Sequence, residues 1–306
     1  MRKEKNKLKK GSINLKILVI GGTRFFGIPM VRELLENEHQ VTLATRGITQ
    51  DTFGNRVRRV KLNVYDENSV QAALHGEAYD VVIDKMGYGS SDVRNILQAV
   101  QCRKFIHMST AGVYQLDRMN IKEADFDGKN VPIKWCSRGE VEYDEAKRQA
   151  EAVLCQKYPE LDWTSVRCPY VVGENDYTQR LLFYVKHTIK EIPMNIDNID
   201  AQMSFANEKE TGKFLAFLIK KDNVKSINAC AKGTMSIREI LNYVEAKTGH
   251  SPQIDSSGDT GPYNGTLPNS LSTEKAARLG VKFEDIHVWM PGLLDYYIEG
   301  VEKGKI

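Results

Sequence analysis

Short apolar runs and helical periods alternate along the first half of the chain. Leu15–Ile20 reads as a buried strand ended by Gly21-Gly22, and Met30, Val31, Leu34 and Leu35 then mark one face of a helix. Val41–Ala44, Val57–Leu62, Val81–Ile83, Lys104–Met108 and Trp163–Val166 read as further strands. Helices are predicted near Glu67–Leu74, Val93–Val100 and Glu140–Tyr158. Parallel neighbours need crossover connections, so this alternation predicts an α/β fold with a doubly wound parallel sheet.

Beyond Pro169 the alternation loosens. Helical patterns fall at Thr178–Ile189 and Lys209–Lys220, and the capping box Ser236-x-x-Glu239 opens another with Ile237, Ile240, Leu241 and Val244 on one face. Residues 251–269 are rich in Gly, Pro and Ser and read as loop, and helices near Thr273–Leu279 and Leu293–Val301 close the sequence. The expected organisation is a basic leader over residues 1–14, a nucleotide-binding core over 15–172 and a mainly substrate-binding lobe over 173–306. Segments near 200–230 are expected to return to the core.

Composition narrows the class. Of 306 residues, 41% are hydrophobic and only nine are proline, ample for a buried core and unlike a disordered chain. Five cysteines are odd in number and form no C-x-x-C pair, and the six histidines show no ligand spacing, so neither a disulfide framework nor a metal site is expected. No apolar run is long enough for a membrane span, and a cytoplasmic location is expected. Six of the first ten residues are Lys or Arg against one Glu, which exceeds the net charge of +3, so the body is close to neutral. The apolar stretch after this leader is too short for a signal peptide. The leader reads as a solvated tail, with a nucleic-acid arm the lesser reading.

Gly21-Gly22-Thr23-Arg24-Phe25-Phe26-Gly27 lies between the first strand and the first helix, where glycines let backbone N–H groups approach a pyrophosphate. Arg24 replaces the middle glycine of the usual pattern. Proteins that prefer NAD place an acid about 20 residues further on, for the ribose 2′-OH. Thr45-Arg46 stands there instead, and the forked donors of Arg24 and Arg46 suit a 2′-phosphate. NADP is therefore the expected cofactor, with NAD the alternative. Arg56, Arg58, Arg59 and Lys61 are read as charges protecting an edge strand, ahead of any phosphate or RNA role.

Tyr143 and Lys147 are one helical turn apart on one face. A phenol titrates too high for neutral-pH proton transfer, and a neighbouring ammonium favours the phenolate. At the end of the fifth strand, the Ser109 or Thr110 hydroxyl is placed to hold a substrate oxygen, with strand-end capping the bland alternative. Trp135 and Trp163 are expected to pack against the sheet.

These motifs together resemble the extended, atypical short-chain dehydrogenase/reductase superfamily, the NAD-dependent epimerase/dehydratase family. The resemblance rests on Gly21–Gly27, Ser109-Thr110-x-x-Val113-Tyr114, Tyr143-x-x-x-Lys147, Arg167-x-Pro169-x-x-x-Gly173 and Ser272-x-x-Lys275-Ala276-x-x-Leu279-Gly280. It implies a Rossmann-type sheet with a smaller C-terminal substrate-binding lobe. It implies hydride exchange between nicotinamide and a hydroxyl or carbonyl carbon, with Tyr143 as acid–base, Lys147 on the nicotinamide ribose and Thr110 on the reacting oxygen. Gly21, Thr23, Arg24, Phe25, Phe26, Gly27, Arg46, Asn63, Lys147 and Pro169 would line the cofactor site, Asn63 standing where relatives often use Asp.

Departures narrow the reaction. Ala111 and Gly112 replace the Asp-Glu pair of sugar-nucleotide dehydratases, which argues against dehydration. Gln202 stands for a basic residue of the sugar-nucleotide enzymes, and Asn207 and Lys209 depart from their pattern as well. The expected partner is a small-molecule substrate, a nucleotide sugar among the candidates, with no membrane and no nucleic acid; a homodimer is compatible with it. The competing reading is a non-catalytic NADP-binding regulator or RNA-binding protein on the same fold.

Overall fold

The computed structural model describes residues 14–306. The basic residues of the leader lie outside them. In chain order the core runs β1 (Lys16–Ile20), α1 (Gly27–Glu36), β2 (Gln40–Thr45), β3 (Val57–Lys61), α2 (Glu67–Leu74), β4 (Glu77–Asp84), α3 (Ser90–Ala99), β5 (Val100–Thr110), α4 (Tyr143–Lys157) and β6 (Asp162–Cys168). Then follow β7 (Tyr170–Val172), α5 (Arg180–Ile189), β8 (Met194–Asn195), β9 (Phe205–Asn207), α6 (Glu208–Leu218) and β10 (Lys225–Asn228). Last come α7 (Ile237–Thr248), β11 (Asp259–Thr260), α8 (Glu274–Arg278) and α9 (Ile286–Glu302).

Seven strands pair in the order β3-β2-β1-β4-β5-β6-β10, every neighbour parallel. This is the Rossmann-type doubly wound sheet. The strand period of two divides β1 between the faces: Ile17 and Val19 join Met30, Val31, Leu34, Phe214 and Leu215 of α1 and α6. Leu18 and Ile20 join Val70, Val93, Ile96 and Val153 of α2, α3 and α4 on the opposite face. A separate apolar cluster knits α5, α7 and α9 into the C-terminal lobe.

The structure adds detail that periodicity did not show. β10, from residues 225–228, is the seventh strand of the sheet and pairs with β6 from Lys225↔Thr164 to Asn228↔Arg167. The final helix starts at Ile286, capped by the Asp285 side chain, and carries Pro291 inside it. The supposed loop 251–269 contributes β11 to a two-stranded pairing with β8. Trp163 is buried as expected, but Trp135 is 45% exposed, with the Arg94 guanidinium 4.8 Å from its ring. Packing against a cation, not against the sheet, accounts for that residue.

Candidate active site

The glycine turn is built as a cradle of bare backbone. Gly21 and Gly22 have φ of 95° and 96°, a region that L side chains rarely adopt. A Cβ on Gly27 would stand 2.7 Å from the Gly22 Cα, so only glycine lets α1 begin directly over the turn. No side chain caps that helix start. Backbone without side chains at a helix N-terminus, at the C-terminal edge of a parallel sheet, is what a dinucleotide's diphosphate needs, and the residues present fit it.

From the turn a cleft runs over the ends of β2 and β3, lined by Thr23, Arg24, Phe25, Phe26, Arg46 and Asn63 among others. Arg24 and Arg46 are both exposed on it, and among the described residues neither pairs with a carboxylate. The Arg24 guanidinium lies 4.3 Å from the Tyr177 ring. On the edge strand β3 the situation is opposite. Arg58 forks onto Glu77 with both distances 3.1 Å, and Arg59 reaches Asp51 at 2.6 Å. β3 is an edge strand, as expected, and two of the four basic residues Arg56, Arg58, Arg59 and Lys61 are held by carboxylates.

A second cleft adjoins the first and collects four of the candidate site residues: Thr110 from the end of β5, Tyr143 and Lys147 from α4, and Pro169 just after β6. Tyr143 is 46% exposed and packs edge-on against Tyr88 at 5.4 Å. Desolvation by the cleft walls raises the phenol pKa, Tyr88 adds to it, and a hydrogen bond with Thr110 opposes it. The Thr110 hydroxyl also accepts from the Gly112 N–H at 3.1 Å.

Lys147 corrects one expectation. Its ammonium is buried and donates to the Gly87 and Met108 carbonyls, each at 2.7 Å, with the Tyr88 ring 5.0 Å away. Burial pulls its pKa down to about 8, against Asp84, Asp92 and Glu151. Lys147 therefore ties the ends of β4 and β5 together, and the Tyr143 pKa stands above the ordinary phenol value, not below it. A one-turn spacing brings two Cα atoms onto one face, but the shorter path for a long side chain led inward to carbonyls.

Ser109 is likewise bonded inward: its hydroxyl donates to Glu151 at 2.5 Å in the interior. Arg167 donates to that carboxylate and, at 2.8 Å, to the Tyr114 hydroxyl, which in turn donates to Asn228 on β10. Two of the motif residues, Tyr114 and Arg167, thus hold the strand ends in register. Arg148 grips the loop after β5 through the Val113 and Gly112 carbonyls, both at 3.0 Å. Gln202 is bonded to Glu239 and Thr234.

Sequence reasoning missed Lys85, Tyr88, Arg138, Tyr177 and Arg180, all of which line one or both clefts. Lys85 carried a signal, being a charge directly after a buried strand at the edge where such sheets bind ligands. Arg138, Tyr177 and Arg180 lie outside the strand ends, where spacing says nothing about the cleft. Among the described residues no His, Cys, Asp and Glu group has the arrangement to hold a metal, and no helix is long and apolar enough to cross a membrane.

Comparison with known proteins agrees with this geometry. Residues 21–192 match the NAD(P)H-binding family. The chain is 29% identical over 206 residues to the chloroplast stem-loop binding protein of 41 kDa b of Arabidopsis thaliana, covering 62% of this chain and 50% of that protein. It thus spans about half the length of this curated relative. The fold matches UDP-glucose 4-epimerase of Thermotoga maritima, solved with UDP-glucose, at a TM-score of 0.70 and 16% identity over 94% of this chain and 99% of that one. Vestitone reductase from alfalfa (Medicago sativa) matches at 0.68 and 18% identity, covering 96% and 100%.

Proposed function

The chain belongs to the NAD(P)H-binding family, and from that premise we propose that it is an NADP-dependent oxidoreductase or epimerase acting on a hydroxyl or carbonyl carbon of a small molecule. The observation that carries the proposal is the convergence of Thr110 and Tyr143 on the cleft that adjoins the glycine turn. When bound, the nicotinamide supplies or accepts hydride at the substrate carbon. Tyr143 moves the matching proton: its phenol gives a proton to a carbonyl oxygen being reduced, and its phenolate takes one from a hydroxyl being oxidised. Thr110, on the same cleft, would hold the same oxygen. Lys147 fixes the floor of the cleft through Gly87 and Met108, and Arg24 with Arg46, exposed on the adjoining cleft, would take the 2′-phosphate.

Arg180 and Asp144 line the substrate end, so a polar, hydroxyl-rich substrate suits it, and a nucleotide sugar is the leading candidate class. The test is transfer of deuterium from labelled NADPH to a panel of ketones and 4-keto sugar nucleotides, read by mass spectrometry. Labelled product supports the reading; no transfer across the panel, with NADPH bound, counts against it.

A second reading is favoured by one observation, the likeness to a stem-loop binding protein. On it the fold binds RNA, with residues 1–10 supplying charge. Affinity for a stem-loop RNA should then fall steeply with salt and weaken when those residues are removed. Binding that ignores both changes would dismiss it.

A further inference from the structure

We propose that Lys85 is a ligand for the cofactor diphosphate, closing the glycine turn from the β4 side. The inference rests on the nicotinamide-nucleotide reading above. Lys85 is the first residue after β4, and its Nζ donates to the Arg24 carbonyl at 3.3 Å. It lies 4.1 Å from the Phe26 ring and 2.7 Å from where a Cβ on Gly27 would be, over the start of α1. It lines both clefts, at their junction.

Two donor elements therefore converge on one spot: the Lys85 amine and the N-terminal end of the α1 dipole. The charged groups that line the two clefts with Lys85 are Arg24, Arg46, Arg138, Lys147, Arg180 and one carboxylate, Asp144, with the phenols of Tyr65, Tyr88, Tyr143 and Tyr177 among them. Asp144 lies against Gly112 at the substrate end, and among the described residues Lys85 has no ion pair with it or any other carboxylate. Its sequence neighbour Asp84 is already taken by the His107 ring at 3.1 Å and by the Met86 and Gly87 N–H groups. Positive elements that converge without a paired counter-charge make a site for an anion, and the diphosphate is the anion this turn is shaped for. The state of the amine agrees: desolvation first, and Arg24 second, bring its pKa down to about 7. An anion beside the amine raises that value again, so binding above neutral pH draws a proton from solution.

The experiment is isothermal titration of NADH and NADPH into wild type, Lys85→Met and Lys85→Arg at pH 8, in buffers of different ionisation enthalpy. Wild type should take up protons on binding NADH, whose diphosphate does not titrate there. Lys85→Met should bind both nucleotides about tenfold or more weaker, equally for the two, with buffer-independent heat. Lys85→Arg should recover most of the affinity without proton uptake, since arginine stays charged. If Lys85→Met binds NADH as wild type does, with the same uptake, the assignment falls while the nicotinamide reading stands. Inorganic pyrophosphate separates the remaining cases. If wild type binds it through Lys85 but binds neither nucleotide, the anion site stands and the oxidoreductase reading falls. If wild type binds none of the three, both fall.

Discussion

Arg167 and Glu151 meet in a buried fork that joins β6 to α4 beneath the reacting groups, with Nη2–Oε2 at 2.6 Å and Nε–Oε1 at 3.0 Å. Their remaining polar atoms are spoken for by Ser109, Tyr114 and the Glu123 and Phe126 carbonyls. Removing one partner leaves a charge buried without its counterpart. Arg167→Met is expected to cost about 3–5 kcal/mol of folding free energy in urea titrations. Arg167→Met combined with Glu151→Leu should recover part of that loss, and a single-variant cost below about 1 kcal/mol would show the pair to be idle.

Tyr143→Phe keeps the ring against Tyr88 and removes the proton-carrying oxygen. Turnover should fall by about a hundredfold or more, the usual contribution of a positioned acid–base group. The dissociation constant for NADPH, followed by nucleotide fluorescence, should stay within about twofold, because that oxygen is not part of the glycine cradle. Equal turnover by both forms would remove Tyr143 from the mechanism.

The raised phenol pKa fixes the sign of the pH profile. Carbonyl reduction uses the protonated form, which is fully populated at neutral pH, so Tyr143 adds no pH dependence to that direction. Alcohol oxidation uses the phenolate, so kcat/KM should climb by about tenfold per pH unit between pH 6 and 7.5, below the Lys147 value of about 8. A flat oxidation profile over that interval would contradict the assignment.

Arg24 and Arg46 should decide between the two nicotinamide nucleotides. Replacing both with Ala is expected to weaken NADPH by about ten- to a hundredfold, the loss of one or two charge-assisted contacts, with NADH little affected. Parallel loss for both nucleotides would move these arginines from the 2′-phosphate to the diphosphate. Lys85 serves as the control, because its removal should weaken both alike.

The sheet was legible because its strands are short, apolar and regularly spaced. Ile17 to Ile20 can hardly be anything but a buried strand once glycines end it. Thr110, Tyr143 and the glycine turn were legible for the same reason, since each is set at the end of a strong element. Lys147 was half legible: its place on α4 followed from spacing, but its choice of the Gly87 and Met108 carbonyls depends on where β4 and β5 stop. Arg138 and Tyr177 were not legible. They come to the cleft from segments before α4 and α5 whose paths are set by tertiary packing, not by local pattern.

The strand β10 comes from residues 225–228 yet borders β6, which the chain completes at Cys168. A ribosome therefore delivers the nucleotide-binding strands well before the one that covers their outer edge. Until then β6 offers unpaired N–H and C=O groups to any passing strand, and the α1 face waits for α6. A fragment ending at residue 172 would inherit that open flank permanently and should self-associate when expressed. The long sequence interval between β6 and β10 also makes their pairing a late, slow step, so nascent chains of intermediate length are where a chaperone has most to shield.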